Sequence, residues 1–225
     1  MKSQPKKIAR KPRKHRIDVA RRAEIGQEKR ARTRTAILKA AFVLLGHERG
    51  LMTSTDEICK AANISRGTLY NHFTGMEDLL DSLSYELNHD FNQAVLAALT
   101  QIDSAAERSA MAIRHYLERA RKDPQWAWTM VNISAGGAPT FGKETADQTQ
   151  LTVTQGIASG EFDLPGPISG RDLLLGTTLH AMVTQLHNSP SSTFPSSVAM
   201  LILRGLGIKL KRIESILAKP LVPLA

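Results

Sequence analysis

The sequence predicts an all-α protein of about nine helices. Apolar residues recur at helical spacing along almost the whole chain, and no run alternates with the two-residue period of a strand. The breaks between these stretches are rich in Gly, Pro, Ser and Asp, as in KDP, AGGAP, SGEFDLPGP and NSPSSTFP. The composition, with 42% hydrophobic and 23% charged residues over 225 positions, is typical of a globular protein with a sizeable core.

The positive charge of the chain is concentrated near its N-terminus. Residues 1–34 contain 14 Lys and Arg against three acidic residues, whereas residues 35–225 contain 16 against 18. Lys and Arg placed along a nucleic acid release its counterions, so the basic N-terminal arm predicts DNA binding. A solvated tail and contact with an anionic membrane surface are the alternatives.

The sequence predicts a protein of the reducing cytoplasm, associated with the nucleoid. It contains no apolar run near the 18 residues of a membrane span, and its basic N-terminus lacks the apolar stretch of a secretory signal. The single cysteine, Cys59, cannot close an intrachain disulfide and falls within an apolar helical pattern. We therefore expect no membrane partner.

The first four predicted helices carry recognisable start and stop signals. The first spans about residues 27–50 and ends on a glycine suited to a C-terminal cap. Ser54, followed by Glu57 three residues later, has the pattern of a capping box for the second helix, and Ser65 caps the third. The fourth spans about residues 76–100. The remaining helices are predicted over residues 105–122, 124–134, 140–159, 169–188 and 195–218.

The third predicted helix has two contrasting faces. At 100° per residue, Leu69 and Phe73 fall on one side and are predicted to be buried. The opposite arc and its shoulders are polar or small: Arg66, Gly67, Thr68, Tyr70, Asn71, His72 and Thr74. The short connection AANIS to the preceding helix is typical of a helix-turn-helix, whose second helix enters the DNA major groove. A solvated polar face of an ordinary core helix is the alternative.

The residue types on the polar face suit DNA recognition. Gly67 costs roughly 1 kcal/mol of helix stability relative to Ala, but the missing side chain lets the backbone approach the duplex closely. Asn71 can bond adenine bidentately, and Thr68 can bond a base or contact a thymine methyl. Phosphate oxygens are the expected partners of Arg66, Tyr70 and His72, with guanine an alternative for the arginine.

Two stretches resemble a known family. TSTDEICKAANISRGTLYNHFTGMEDLL, residues 53–80, resembles the DNA-binding signature of the tetracycline-repressor-like (TetR/AcrR) family, and RTAILKAAFVLLGHERG resembles the first helix of the same domain. The motif covers about residues 32–80, whereas the remaining chain matches only by helix count and by the stretches SGEFD and LILRGLG. The resemblance implies a homodimeric transcriptional regulator, a repressor on a palindromic double-stranded DNA operator that a small molecule releases.

The resemblance also implies a domain organisation and a set of DNA contacts. It divides the chain into a basic arm over residues 1–26, a helix-turn-helix domain over 27–88 and a ligand-binding and dimerisation domain over 89–225. It implies no cofactor, no metal and no enzymatic activity. The implied DNA-binding residues are Ser54, Arg66, Gly67, Thr68, Tyr70, Asn71 and His72.

Two positions depart from the family pattern. Asn63 stands where the family usually has a glycine before the turn, and asparagine tolerates the left-handed backbone that such a turn requires. Met76 stands where the family usually has a lysine that touches phosphate. The backbone amides of that turn remain available to an anion, and we expect the basic arm to compensate for the missing lysine.

The second half of the chain contains candidates for an effector pocket. The resemblance implies a small apolar or amphipathic effector held by an apolar lining and a few polar groups. The candidate lining residues are Met111, His115, Trp126, Trp128, Phe141, Thr178, Met182 and Gln185. Most residues in such helical stripes are ordinary core residues.

Other functions remain open at the level of the sequence. A TetR-like protein without small-molecule control, paired with a protein partner or coating DNA through its arm, is the first alternative. An all-α enzyme has no arguable catalytic group in this sequence. The run GGAPTFGKE approaches a phosphate-binding loop, but Glu144 replaces the Ser or Thr that would bind magnesium and no strand pattern precedes it.

Overall fold

The computed structural model describes residues 14–224, with side chains from residue 21 onward. Residues 1–13 of the predicted arm lie outside the described residues. Ten α-helices and one short 3₁₀-helix make up the described chain, which contains no strand. The predicted all-α fold class is therefore confirmed. The helices are α1 Lys14–Leu45, α2 Thr55–Ala61, α3 Arg66–Tyr70, α4 Met76–Leu99, α5 Ala105–Lys122, α6 Pro124–Ala135, α7 Lys143–Ala158, α8 Pro167–Asn188, α9 Phe194–Gly205 and α10 Leu210–Leu217.

The first helix differs from its prediction at both ends. It begins at Lys14 and runs without a break through the predicted arm boundary. It ends at Leu45 rather than at Gly50, which instead begins the 3₁₀-helix Gly50–Met52. The end of α1 is set by Asn132 of α6, whose side-chain nitrogen donates to the carbonyl oxygens of Leu45 and His47 at 2.8 Å each. Helix ends leave carbonyls without intrahelical partners, and here a distant side chain supplies the donor.

The chain between residues 195 and 218, predicted as one helix, forms two. Gly207 has a left-handed φ of 87° and separates α9 from α10. The N–H of Ile208 donates to the carbonyl of Leu203 at 3.1 Å, and the N–H of Gly207 to that of Arg204 at 3.0 Å. This pair of bonds closes a helix C-terminus around a left-handed residue, which accounts for the extra helix.

The turn between α2 and α3 uses the same device with asparagine. Asn63 has a φ of 52°, as its left-handed prediction requires. The N–H of Ile64 donates to Cys59 at 2.9 Å, and the N–H of Asn63 donates to Lys60 at 3.2 Å. The usual glycine is therefore replaced without loss of the terminating hydrogen bonds.

Helix α8 is central to the second half of the molecule, where it packs against α5, α6, α7 and α9. Helix α4 contacts α1 in the first half and α5, α6 and α7 in the second, so one helix joins both halves. A continuous buried cluster runs through both halves. None of the helices in residues 14–224 combines the length and apolar character needed to cross a membrane.

Candidate DNA-binding surface and internal cavity

The helix-turn-helix begins with two side-chain caps. The Ser54 hydroxyl accepts from the Glu57 N–H at 3.3 Å, and the Glu57 carboxylate accepts from the Ser54 N–H at 2.8 Å, which confirms the predicted capping box. The Ser65 hydroxyl accepts from the Thr68 N–H at 3.1 Å and caps α3. Both caps satisfy backbone donors at helix starts, so they fix where α2 and α3 begin.

Helix α3 is shorter than the segment Ser65–Thr74 over which the sequence predicts helical faces, but it presents those faces. It ends at Tyr70, and Asn71 is its C-terminal cap, so His72 lies in the following turn. Leu69 and Phe73 are buried at 1% and 2% exposure. Ser54, at the start of α2, is exposed. The other predicted DNA-binding residues lie in or just after α3 and are exposed or half-buried: Arg66, Gly67, Thr68, Tyr70, Asn71 and His72.

Gly67 has open space where a side chain would be. A Cβ atom there would meet only the Ser65 hydroxyl, at 3.8 Å, which is ordinary van der Waals contact. Packing within the described chain therefore does not require glycine at this position. The missing side chain leaves the α3 backbone open to close approach by a partner.

Arg66 is paired with Asp56, a partner that the sequence did not predict. Its guanidinium forms a bidentate pair with Asp56 of α2, through Nε and one terminal nitrogen. Hydrogen bonding from Arg66 lowers the pKa of the Asp56 carboxyl. The pair fixes the direction of the guanidinium but leaves it less free to reach a base than a lone arginine.

Two arginines of α1 flank the end of α3. An Arg30 side-chain nitrogen donates to the carbonyl oxygen of Asn71 at 3.2 Å, and the Arg34 guanidinium lies 5.2 Å from the Phe73 ring centre. Burial, followed by the charges of Arg30 and Arg34, lowers the pKa of His72. Sequence reasoning missed both arginines because α1 and α3 meet only in the folded domain.

The turn before α4 is closed by its own side chains. Asp78 accepts from the N–H of Thr74 at 2.8 Å and from its hydroxyl at 3.3 Å. Helix α4 begins at Met76, as predicted, and its N-terminal cap Gly75 supplies no side-chain bond. Met76 is half-buried and packs against the core cluster, so the residue at the usual lysine position also has a packing role.

A cavity of about 420 Å³ lies between α4, α5, α7 and α8 in the second half of the molecule. Of the eight predicted pocket residues, Phe141 and Thr178 line it. Trp126 and Met182 are fully buried core residues instead. Met111 packs behind the cavity residues Val95 and Leu99 without lining it.

The other three candidates also lie away from the cavity lining. His115 is buried next to the backbone of Val222, and burial lowers its pKa. Trp128 stacks edge-on against His187, with 5.3 Å between ring centres. Gln185 is half-buried, and its side-chain oxygen has no hydrogen-bond partner among the described residues. Helical periodicity alone does not distinguish these positions from cavity-lining ones.

The cavity contains polar residues that sequence reasoning missed. The Tyr116 hydroxyl lies 3.3 Å from the Thr145 hydroxyl, and complete burial raises the pKa of Tyr116 to about 12. Asn92 and Ser109 also line the cavity, and each has one buried polar atom without a partner among the described residues. The sequence signal available for them was a row of polar residues at helical spacing on α7. Its members are Thr145, Gln148, Thr149 and Thr152.

Helix α4 extends from the DNA-binding half to the cavity. It starts at Met76, and its last turns line the cavity through Asn92, Val95, Leu96 and Leu99. Between them, the Asn88 side chain donates to the carbonyl oxygen of Phe141 at 3.0 Å. Phe141 in turn places its ring at the cavity and has a left-handed φ of 61°. A shift of the cavity wall would therefore move α4 directly, because α4 forms part of that wall.

The fold and the exposed face of α3 define a helix-turn-helix DNA-binding protein. The model of the family described as bacterial regulatory proteins, tetR family, matches residues 37–83. Residues 37–83 therefore form a DNA-binding domain of the tetR family type, and the chain is a DNA-binding transcription regulator. No enzymatic family is indicated. No curated protein matches the chain.

Solved structures share the fold over most of the chain. The crystal structure of RolR in complex with resorcinol has 23% sequence identity and a TM-score of 0.70, covering 88% of this chain and all of RolR. A tetR family transcription regulator from Shewanella sp. PV-4 has 22% identity and a TM-score of 0.60, covering 77% of this chain and 97% of its own. FadR from Bacillus subtilis, in complex with stearoyl-CoA, has 22% identity and a TM-score of 0.54, covering 76% of this chain and 98% of its own.

Proposed function

We propose that this regulator is a repressor that binds a palindromic operator as a homodimer and is released by a small molecule in its internal cavity. The observation that carries the proposal is α4, one helix that begins beside the DNA-binding turn and ends in the cavity wall. An effector that binds one arrangement of α4 modestly more tightly than another is sufficient to change operator affinity. RolR and FadR, crystallised with resorcinol and stearoyl-CoA, support effector control without naming this effector.

The proposed functional division follows the three parts expected from the sequence. Residues 1–26 are the basic arm, residues 27–88 read DNA, and residues 89–225 bind the effector and dimerise. The proposed DNA contacts are Ser54, Arg66, Gly67, Thr68, Tyr70, Asn71 and His72. All seven are exposed or half-buried, and six of them lie in or just after α3, which supports this role.

The DNA-binding part is tested by selecting bound sequences from a random DNA library with the full chain. We expect palindromic sites, because the two recognition helices of a dimer lie about one DNA turn apart. Asn71→Ala should cost roughly 1–3 kcal/mol on the selected site and almost nothing on a scrambled site, measured by fluorescence anisotropy. The control is Asn188→Ala, another exposed asparagine, at the end of α8. Equal losses on both DNAs would show a coating protein instead of a sequence-specific regulator.

The homodimer is supported by an exposed apolar residue on one of the last long helices. Leu201 of α9 is 62% exposed in the single chain. A charge there should disrupt a subunit interface, so Leu201→Glu should convert a dimer to a monomer in light scattering after size-exclusion chromatography. Lys211→Glu, at an exposed position of α10, is the charge control. A monomeric parent chain would contradict the proposal.

The arm is tested by truncation. Residues 2–13 contain six Lys and Arg, and each lost phosphate contact should flatten the log–log salt dependence of operator affinity by about 0.9. Deleting these residues leaves the described part of α1 in place. An unchanged slope would contradict a phosphate-binding role for this segment.

Effector control is tested by filling the cavity. Thr149 lines the cavity and is half-buried, so Thr149→Trp should occupy part of its volume. We expect unchanged operator affinity and no release by a compound that releases the parent chain. If no compound in a small-molecule library releases the parent chain, control by a protein partner is favoured.

A further inference from the structure

Four threonines that line the cavity already donate their hydroxyl protons to backbone carbonyls. Each donates to the carbonyl oxygen four residues earlier in the chain. The distances are 2.9 Å for Thr100, 2.8 Å for Thr149, 3.1 Å for Thr152 and 2.7 Å for Thr178. A hydroxyl has one proton and two acceptor lone pairs, so these groups can only accept further hydrogen bonds. A ligand that pairs with them must bring the protons.

The charge and hydrogen-bonding groups of the lining favour an uncharged ligand. Among the described residues that line it, Arg108 is the only charged one. Its guanidinium donates to the carbonyl oxygens of Ile102 and Asp103 and to the Gln155 side chain, at 2.7 Å each. A cationic ligand would find no carboxylate among these lining residues. A carboxylate ligand would find two groups able to donate that are unpaired within the described chain, the Asn92 amide nitrogen and the Ser109 hydroxyl, but would place its remaining lone pairs against those of the threonines. An uncharged ligand avoids both costs.

The remaining wall suits an aromatic ring. It is apolar over the residues Val95, Leu96, Leu99, Ile113, Leu174 and Leu175. Phe141 and Tyr116 also line it and meet edge-on, with ring centres 4.9 Å apart. The volume of about 420 Å³ exceeds the roughly 150 Å³ that holds benzene in a protein interior, which leaves room for ring substituents.

We propose that the effector is an uncharged aromatic compound with phenolic hydroxyl groups, whose O–H protons bond the threonine oxygens while the ring lies against the apolar wall. This inference rests on the effector-controlled function proposed above and names its ligand class. The α7 threonines would set specificity, because they present two acceptors on one helix face, three residues apart.

The test compares three probes that share a benzene ring. Resorcinol supplies two O–H donors, 1,3-dimethoxybenzene keeps both oxygens but has no donor, and benzoate is an anion. We expect resorcinol to bind the full chain at least about tenfold more tightly than the dimethyl ether in isothermal titration calorimetry, because two donors are lost. Benzoate should bind more weakly than resorcinol.

A double variant tests the threonines directly. Thr149→Val with Thr152→Val keeps the side-chain shape and removes both acceptors, so resorcinol affinity should fall about tenfold while that of the dimethyl ether stays the same or rises. Thr154→Val is the matched control, since Thr154 lies on α7, donates to the Gln150 carbonyl at 2.8 Å and is exposed outside the cavity lining. It should bind all three probes like the parent chain.

Three results would overturn the inference. They are equal affinity for resorcinol and its dimethyl ether, tighter binding of benzoate, and absence of resorcinol binding at millimolar concentration. Operator binding and its loss in Asn71→Ala are measured without any of these probes. A chain that binds its operator and responds to other compounds would therefore retain the proposed function while the phenolic ligand class fails.

Discussion

The recognition segment and the internal cavity differ in how far apart their residues lie along the chain. The first is built from neighbours between Ser54 and Met76, whose caps and turn bonds reach only a few residues. The second is built from four helices and spans Asn92 to Thr178. Local hydrogen bonds leave a spacing signature in the sequence, whereas a cavity depends on which helices pack together. The difference explains why one region could be read directly and the other could not.

The largest expected effect concerns a long-range contact, the one between α6 and the end of α1. Asn132→Ala removes the side-chain donor to the carbonyls of Leu45, the last residue of α1, and of His47 just beyond it. We expect a loss of about 1–3 kcal/mol in the free energy of unfolding, measured by urea denaturation, because the buried Leu45 carbonyl loses its donor. The His47 carbonyl still accepts from the N–H of Gly50 at 2.8 Å. Asn188→Ala is the control. A loss under about 0.5 kcal/mol would mean that the end of α1 does not depend on this long-range hydrogen bond.

The second prediction separates the fold of the recognition segment from its function. Gly67→Ala should raise helix stability by about 0.5–1 kcal/mol, because its Cβ would meet only Ser65 at 3.8 Å. The same methyl should lower operator affinity about tenfold by holding the backbone away from DNA. Gly26→Ala, another helical glycine with nothing within 4 Å of its Cβ, is the control. Unchanged operator affinity would remove the proposed reason for glycine at this position.

The third prediction concerns Met76, the residue at the end of the recognition segment. Met76→Lys restores the cation that the family pattern carries at the start of α4. We expect tighter operator binding and a log–log salt slope steeper by about 0.9 per subunit. Met76 also packs against the core, so a small loss of stability should accompany the gain. A slope that does not change would show that position 76 lies away from phosphate.

The smallest expected effect is the pH dependence contributed by His72. Burial and two arginines lower its pKa in the free chain, whereas a nearby phosphate would raise it again. Operator affinity should therefore increase as the pH falls from about 7.5 to 6, by at most about tenfold per pH unit for each subunit. His72→Gln should flatten this dependence, while the variant His47→Gln, at an exposed position, should not.

Folding has the opposite dependence on the same histidine. Because the folded state lowers the pKa of His72, its contribution to stability is present above about pH 6.5. It is lost as the pH falls below that value towards the lowered pKa of the folded state. The affinity measurement must therefore be accompanied by a check that the chain remains folded at pH 6.

Most of the DNA-binding half could be predicted from the sequence. The capping box at Ser54, the cap at Ser65, the left-handed Asn63 and the start of α4 at Met76 follow from short-range rules and were confirmed. The predicted end of α1 was wrong, because the observed end depends on Asn132, which is 87 residues from Leu45 along the chain. The exact length of α3 was overestimated because helical periodicity continues through a following turn.

The cavity lining could be predicted only in part. Helical spacing marks Trp126 and Met182 as inward-facing, but it does not show whether an inward side chain meets another side chain or a void. Phe141 and Thr178 were predicted and do line the cavity. The threonine row of α7 was overlooked because polar residues on a helix usually indicate a solvated face.

The sequence by itself determined the helical class, the helix-turn-helix and the polar face of α3, because capping, turn geometry and amphipathic spacing act over a few residues. The tertiary structure decided the partner of Arg66, the place where α1 ends and the residues around the cavity. Each of these depends on contacts between side chains brought together by packing. The hydrogen-bonding character of the cavity also depends on the tertiary structure. Whether a threonine in the lining offers a donor or an acceptor depends on which group already receives its single hydroxyl proton.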